Sequence, residues 1–459
     1  MQQLKSRWYK LLAVVAVVFL ATNALAQTSS INAFSPYTMY GIGEINTPGT
    51  LQIRSMGGAG VAMRQVGAIN LLNPASFSLV SRKSFMLDFG MEGQNYYNKQ
   101  TAEGVAKKSA YNSFNIREFA FLMPLYKNLG LAFSVTPYSS VGYRMNYDHH
   151  YDPNDPVWGN VGRVNYSYQG EGDVTEVKLG LGYELFKNFS LGVAAQYYWG
   201  DIDRTFSMYP VSIVGGSSHG QVVGESQYAI SRIKGQVGFQ WNVLETSRRL
   251  LTIGATYDLG GDLSPEVSTD IYANDLYNTT VQGDTTHLEM CLPRQVAVGV
   301  SYQTSQWLLS ADYVYQDWAS NGRTELTGAN AVTGASMQVR YVDTHMLRFG
   351  VELTPGRYDV RRFWKRWSYR AGLRFGTHNQ SFDGQKLNEM AATLGMRVPF
   401  KFMGVSSVDL GVEYGRRGYN VAERVGLVRQ EYFKFAIGFT LFASATENHE
   451  YWFMRPKYD

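Results

Sequence analysis

Residues 432–442 alternate without a break: Phe433, Phe435, Ile437, Phe439 and Leu441 fall on one face, and Lys434, Ala436, Gly438 and Thr440 on the other. Successive side chains of a strand point to opposite sides, so this run predicts a strand with one greasy face and one small or polar face. The same pattern recurs at residues 177–185, where Val177, Leu179, Leu181, Tyr183 and Leu185 oppose Lys178, Gly180, Gly182 and Glu184. After a tight turn at 186–188 it continues with Leu191, Val193, Ala195, Tyr197 and Trp199, which predicts a hairpin. Comparable runs begin at Phe85, Val296, Leu347 and Tyr369. Together they predict about fourteen strands between residues 83 and 442, an even number as single-chain bacterial barrels have.

The connections add a second signal. Those near 125–128, 186–188, 244–248, 304–306, 355–365 and 400–404 are mostly short, whereas those near 98–111, 144–171, 205–225, 263–287 and 320–340 are longer. Short and long connections alternate, as in an outer-membrane barrel with brief periplasmic turns and longer external loops. A soluble sandwich would have shorter strands, and no blade-length repeat points to a propeller. Lipid demands closed sheets and long strands together. The predicted class is therefore all-β: a transmembrane outer-membrane barrel of about 14 antiparallel strands.

Composition changes this picture little. A mean hydropathy of -0.23 looks soluble, but strict alternation cancels in an average. The 42 basic and 38 acidic residues are interspersed, with no basic block for nucleic acid, and no nucleic-acid partner is expected. The first residues are more informative: Lys5, Arg7 and Lys10 precede an apolar run from 11 to 20, and Ala24-Leu25-Ala26 precedes Gln27. This reads as a cleaved secretory signal at 1–26, too short in its apolar part to span a bilayer. Cys291 is the only cysteine, so no intramolecular disulfide is expected.

Residues 27–82 carry no long alternating run and are rich in Gly, Asn and Ser. Fourteen strands enclose a lumen wide enough for water, so this segment is read as a plug or hatch inside it. Gly57, Gly58 and Gly60 suit backbone turns and close packing. Pro74 lacks a backbone donor and biases Asn73 away from helix, while the Asn73 side chain is suited to bonding nearby backbone; the Asn73-Pro74-Ala75 step is expected to pin the plug to the wall. The remaining divisions are the barrel at 83–442 and a periplasmic tail at 443–459.

The run Met56-Gly57-Gly58-Ala59-Gly60-Val61-Ala62, followed by Asn73-Pro74-Ala75, resembles the N-terminal hatch of the long-chain fatty-acid transporter family, the FadL-like barrels that include the toluene-transport branch. Residues 292–302 and 307–318 are similar to later strands of that family. The resemblance covers essentially the whole mature chain. It implies a fourteen-stranded barrel with a lumenal hatch, and passive uptake of an apolar small molecule with lateral exit into the membrane. It also implies an alternative, because relatives are thought to act as non-transporting partners in secretion or barrel-assembly complexes.

Lateral exit requires an interrupted wall, and Pro137 marks a candidate gap, the alternative being an ordinary bulge. Two features lean toward the scaffold. The longer loops are polar and rich in Tyr and Gly, like adaptable protein-contact surfaces, where a simply solvated loop is the plain alternative. The tail carries Tyr451, Trp452, Phe453 and Met454, an aromatic cluster that either folds back into the barrel mouth or docks another envelope protein. Charges expected to point inward are Asp88, Glu92, Lys178, Glu184, Arg232, Lys234, Asp312, Arg348, Glu352, Arg370, Arg374, Arg397, Asp409 and Glu413, and mixed signs around a plug predict ion pairs that hold it. No nucleophile elbow or phosphate loop appears, so no enzymatic activity and no cofactor are expected. His149 and His150, with Asp148, Asp152 and Asp155, lack metal-ligand spacing and are read as a solvated loop.

Overall fold

A computed structural model describes residues 33–442 apart from 81–84, 103–104, 153, 155–161, 212–219, 247, 264, 275–278, 288–290, 320–324, 330–335, 358, 360, 402–404 and 420–427. The expected signal at 1–26 and the tail with Tyr451, Trp452, Phe453 and Met454 lie outside the described residues. The wall has fourteen strands. They are β1 (Met86–Ala102), β2 (Val105–Tyr126), β3 (Leu129–His150), β4 (Arg163–Phe186), β5 (Phe189–Val211), β6 (Gln221–Thr246) and β7 (Arg249–Asp258). The second half comprises β8 (Arg294–Thr304), β9 (Trp307–Asp317), β10 (Thr344–Leu353), β11 (Ser368–Phe382), β12 (Gln385–Lys401), β13 (Val405–Arg417) and β14 (Arg429–Leu441). Neighbours pair antiparallel, and β1 pairs with β14 from Leu87↔Leu441 to Lys99↔Arg429, which closes the ring.

The alternation in the sequence becomes the two faces of this wall. Leu179, Val193, Leu373 and Phe435 are exposed on the outside, and Lys178, Gln196, Arg374 and Lys434 are buried on the inside. An apolar band outside and polar groups inside suit a closed sheet surrounded by hydrocarbon. Among the described residues no helix is long and apolar enough to cross a membrane, which has no bearing on crossing by strands.

The longer connections differ from the sequence expectation. Residues read as loops at 98–111, 144–171 and 205–225 are largely strand. β3 and β4 stay paired out to His150↔Arg163, and β4 and β5 out to Arg163↔Val211. The segment at 263–287 holds the hairpin Glu266–Asn274 with Thr279–His287, and that at 320–340 pairs Glu325–Ala329 with Ser336–Tyr341. Spanning a membrane takes about 9–11 strand residues. β3 to β6 are 22, 24, 23 and 26 residues long and continue well past it. Beyond the lipid the outer face meets water and the apolar residues lie inside, where Val141, Tyr143, Val174 and Ile202 form a buried cluster, so the greasy outer face fades while the backbone ladder persists. Arg232, read as inward, is exposed. It lies where β6 has left β7, whose pairing ends at Gln236↔Asp258, and has not yet met the outer hairpin at Ala229↔Glu266.

The lumen segment and the wall gap as candidate functional site

Residues 33–80 run inside the ring from its outer mouth to its tight-turn rim. At the mouth, the Phe34 ring stacks on Tyr111 at 4.7 Å, and the Tyr37 hydroxyl donates to the Val428 carbonyl. Ile42 joins a buried apolar cluster with Val141, Tyr143, Ile202, Leu292 and Trp318. A single helical turn, α1 (Leu51–Arg54), crosses the middle.

α1 is held by charge. The Arg54 guanidinium bonds both Glu92 of β1 and Glu118 of β2, and all three side chains are buried. The Leu51 N–H donates to the same Glu118 at 2.7 Å. Higher up, Arg417 of β13 pairs with Glu44 of the segment and with Glu389 of β12, each at 3.0 Å. Burial alone would raise the Glu44 carboxyl, but the neighbouring Arg417 guanidinium holds it below the usual carboxylate range. Wall-to-wall pairs complete the network: Arg370 with Glu352 at 2.6 Å and Asp409 at 2.5 Å, and Arg374 with Glu413 at 2.8 Å.

The residues singled out from the sequence sit along the same segment. Gly57 has φ 68° and Gly58 φ 80°, left-handed backbone that favours glycine. A Cβ on Gly57 would stand 2.7 Å from the Leu373 carbonyl oxygen and 2.8 Å from that of Phe349, so the chain touches the wall backbone itself. The Gly57 N–H donates to Thr393 Oγ1 at 2.9 Å, and the Gly58 carbonyl accepts from Arg348 at 3.4 Å. The N–H groups of Gly60 and Val61 converge on one Asp312 oxygen at 2.6 and 2.9 Å.

Asn73 caps the 3-10 helix Pro74–Leu79: its Oδ1 accepts from the Ala75 N–H at 3.0 Å. Its Nδ2 donates to the carbonyls of Val61 and of Phe239 in β6, both at 3.0 Å, tying the segment's exit to the wall. Pro74 and Ala75 rest on Gly192.

Gly192 belongs to a belt that sequence reading saw only as the small face of each strand. Facing glycines pair across the wall as Gly130↔Gly182, Gly182↔Gly192 and Gly192↔Gly238. Others pair as Gly254↔Gly299, Gly350↔Gly372, Gly395↔Gly411 and Gly90↔Gly438. Cβ positions built on these wall residues run into the segment: Gly372 into Gly57, Gly350 into Met56, Gly254 into Val61 and Gly192 into Pro74. The belt is the seat of the segment.

Pro137 lies where the wall opens. β2 and β3 pair only from Tyr126↔Leu129 to Phe119↔Val135. Beyond that point β2 follows β1 to Ala102↔Val105, and β3 follows β4 with a register shift between Pro137 and Ser139. The freed edge of β3 is taken by the segment: Glu44 pairs with Ser140, Ile45 with Ser139, and the Asn46 N–H donates to the Tyr138 carbonyl at 2.9 Å. Behind this edge lies a cavity of about 160 Å³ whose lining includes Pro137, Tyr138, Glu44, Arg117, Glu176 and Lys234. Its lining mixes these charged groups with apolar side chains such as Leu71, Leu72, Val314 and Met346.

Sequence reading missed Arg54, Glu118, Glu44 and Arg417, because nothing local marks an ion pair between residues 64 or 373 positions apart. Among the described residues no group of three or more His, Cys, Asp or Glu is placed to hold a metal ion.

Fourteen antiparallel strands closed around an N-terminal segment, with β2 and β3 separating beside Pro137, define an outer-membrane barrel with the FadL-like fold. The solved structures most like it include a Pseudomonas aeruginosa FadL homologue, at TM-score 0.61 and 14% identity, covering 86% of this chain and 99% of that one. The Ralstonia pickettii toluene transporter TbuX follows at TM-score 0.52 and 16% identity, covering 85% and 97%. The P. putida toluene transporter TodX matches at TM-score 0.52 and 15% identity, covering 87% and 97%. These identities carry the fold alone. The chain itself belongs to the BamG family, whose model matches residues 9–459. No curated protein matches it.

Proposed function

We propose that this protein is a closed, non-transporting barrel that serves as an integral accessory subunit of an outer-membrane protein assembly or secretion complex. The observation that carries this reading is the lumen: the segment 33–80 is tied to the wall by buried pairs such as Arg54 with Glu92 and Glu118, and Arg417 with Glu44. The cavity it leaves has charged groups such as Arg117, Glu176 and Arg374 among the apolar residues of its lining. An apolar solute entering there would strip water from those groups and offer no bond in return. Membership of the BamG family agrees with this reading.

A second reading is passive uptake of an apolar small molecule, with the segment moving as a hatch and the solute leaving sideways. The divergence of β2 from β3 at Pro137 favours it, as does the fold shared with toluene transporters.

Purification of the tagged full-length protein in gentle detergent, followed by native mass measurement, separates the two. Stoichiometric protein partners and no toluene flux into liposomes are expected. A lone barrel whose toluene flux falls when Asn73 is changed to Ala would overturn the scaffold reading and establish the other.

A further inference from the structure

The connection between β10 and β11 stands apart from the other turns on its rim. Residues 356–367 contain five basic side chains and a single acidic one, Asp359. That acid is engaged within the turn. Its carboxylate accepts the N–H groups of Arg361 and Arg362 at 2.9 and 2.8 Å and pairs with Lys365 at 3.4 Å. The Gly356 N–H donates to the Lys365 carbonyl at 2.7 Å, closing the turn on itself. Arg357, Arg361 and Arg362 are left exposed.

Aromatic rings accompany these cations. Phe363 and Trp364 are 46% and 50% exposed, which makes them available to something outside the fold. Trp367 packs edge-on against Phe363 at 5.7 Å. The hydroxyl of Tyr369, an outward residue at the start of β11, donates to the Trp364 carbonyl at 3.3 Å. The turn carrying these rings is therefore tied at Trp364 to the lipid-facing side of the wall, at the level where the apolar band ends. Other tight turns of the same rim carry the same sign in Lys127, Lys187, Arg248 and Arg249, all exposed. Of their acids, Glu184 faces Arg64 at 3.7 Å and Glu245 accepts from Asn242 at 3.0 Å.

We propose that this basic and aromatic turn binds the headgroups of anionic phospholipid in the periplasmic leaflet of the outer membrane. The guanidinium groups of Arg357, Arg361 and Arg362 take the phosphates, whose geometry suits their forked donors. Phe363 and Trp364 seat at the boundary between headgroup and acyl chain, where aromatic rings anchor membrane proteins. The bond from Tyr369 holds the backbone of the turn at Trp364 against the wall, which favours a bilayer surface over a partner reaching up from the periplasm. The inference holds whether the barrel scaffolds or transports.

The test is native mass spectrometry of the full-length protein in mild detergent with equal amounts of phosphatidylglycerol and phosphatidylcholine. Retention of phosphatidylglycerol is expected. Each basic residue near an anionic surface is worth about fivefold in binding, so the triple variant R357Q/R361Q/R362Q should lose at least about tenfold of that preference. Lys99→Gln with Lys108→Gln, at the opposite rim, should lose none. Unheated gel mobility confirms that each variant remains a folded barrel. Equal retention of both lipids, or full preference in the triple variant, would overturn the proposal. So would an acidic periplasmic protein, in place of lipid, captured through the same three arginines.

Discussion

Arg54 stands between two buried carboxylates that differ in what else they hold. Glu92 also faces Arg117 at 3.5 Å and Lys434 at 3.9 Å, whereas Glu118 has Arg54 and the Leu51 N–H. Changing Arg54 to Met therefore strands Glu118 in the lumen. Removing one partner of a buried pair costs about 3–5 kcal/mol. We expect a lower urea midpoint for the folded barrel in detergent, with partial recovery when Glu118 is also changed to Gln. An unchanged midpoint would show that the segment is not held by charge. The contrast with Asn73 is instructive. A cap two residues from the N–H that it accepts is a local event, so the Asn-Pro-Ala step could be read from the chain. The Arg54 pairs join distant positions and leave no local trace.

At the level of elements, the small inward face of each strand was legible, but its purpose was not. Period-two alternation placed Gly180, Gly182, Gly192, Gly350, Gly372 and Gly438 inside. Their alignment into a seat depends on strand register, which only pairing sets. Gly57→Val tests the seat. A β-branched residue is strained at φ 68°, at a cost of about 1–2 kcal/mol before any clash, and its Cβ would meet two wall carbonyls. The segment should lift, and backbone amides of residues 56–62 should exchange with solvent faster than in the parent, while those of β4 and β5 should not change. Unaltered protection at 56–62 would rule out close seating. Strand ends were the least legible feature, since a greasy outer face reports lipid and stops where the ladder continues into water.

For the whole molecule, the lumen's closure depends on pH in a direction set by its ion pairs. Glu44 carries a carboxyl that Arg417 holds below its ordinary value, so its pairing contributes fully above the unfolded value of about 4.3 and is lost as pH falls through the lowered one. Planar-bilayer conductance should therefore stay near zero at neutral pH and rise only in acid below that range. Glu44→Gln, which removes this pair, should show measurable conductance already at pH 7; a silent variant would show that the Glu44 pair does not keep the mouth shut. Charge shows the division between sequence and structure most clearly. Along the chain, bases and acids are interspersed, yet chain reversal at every second connection gathers Lys127, Lys187, Arg248 and the arginines of 357–366 onto one rim. The sequence by itself determined the alternation, hence the strands, their lipid and lumen faces, the closed all-β class, and the local cap at Asn73, because these follow from nearest neighbours and from what each side chain does in oil or water. Only the tertiary structure decided which carboxylates Arg54 and Arg417 would meet, how the glycines line up, where β2 leaves β3, and where positive charge collects. Those depend on register and closure, which bring together residues that the chain keeps hundreds of positions apart.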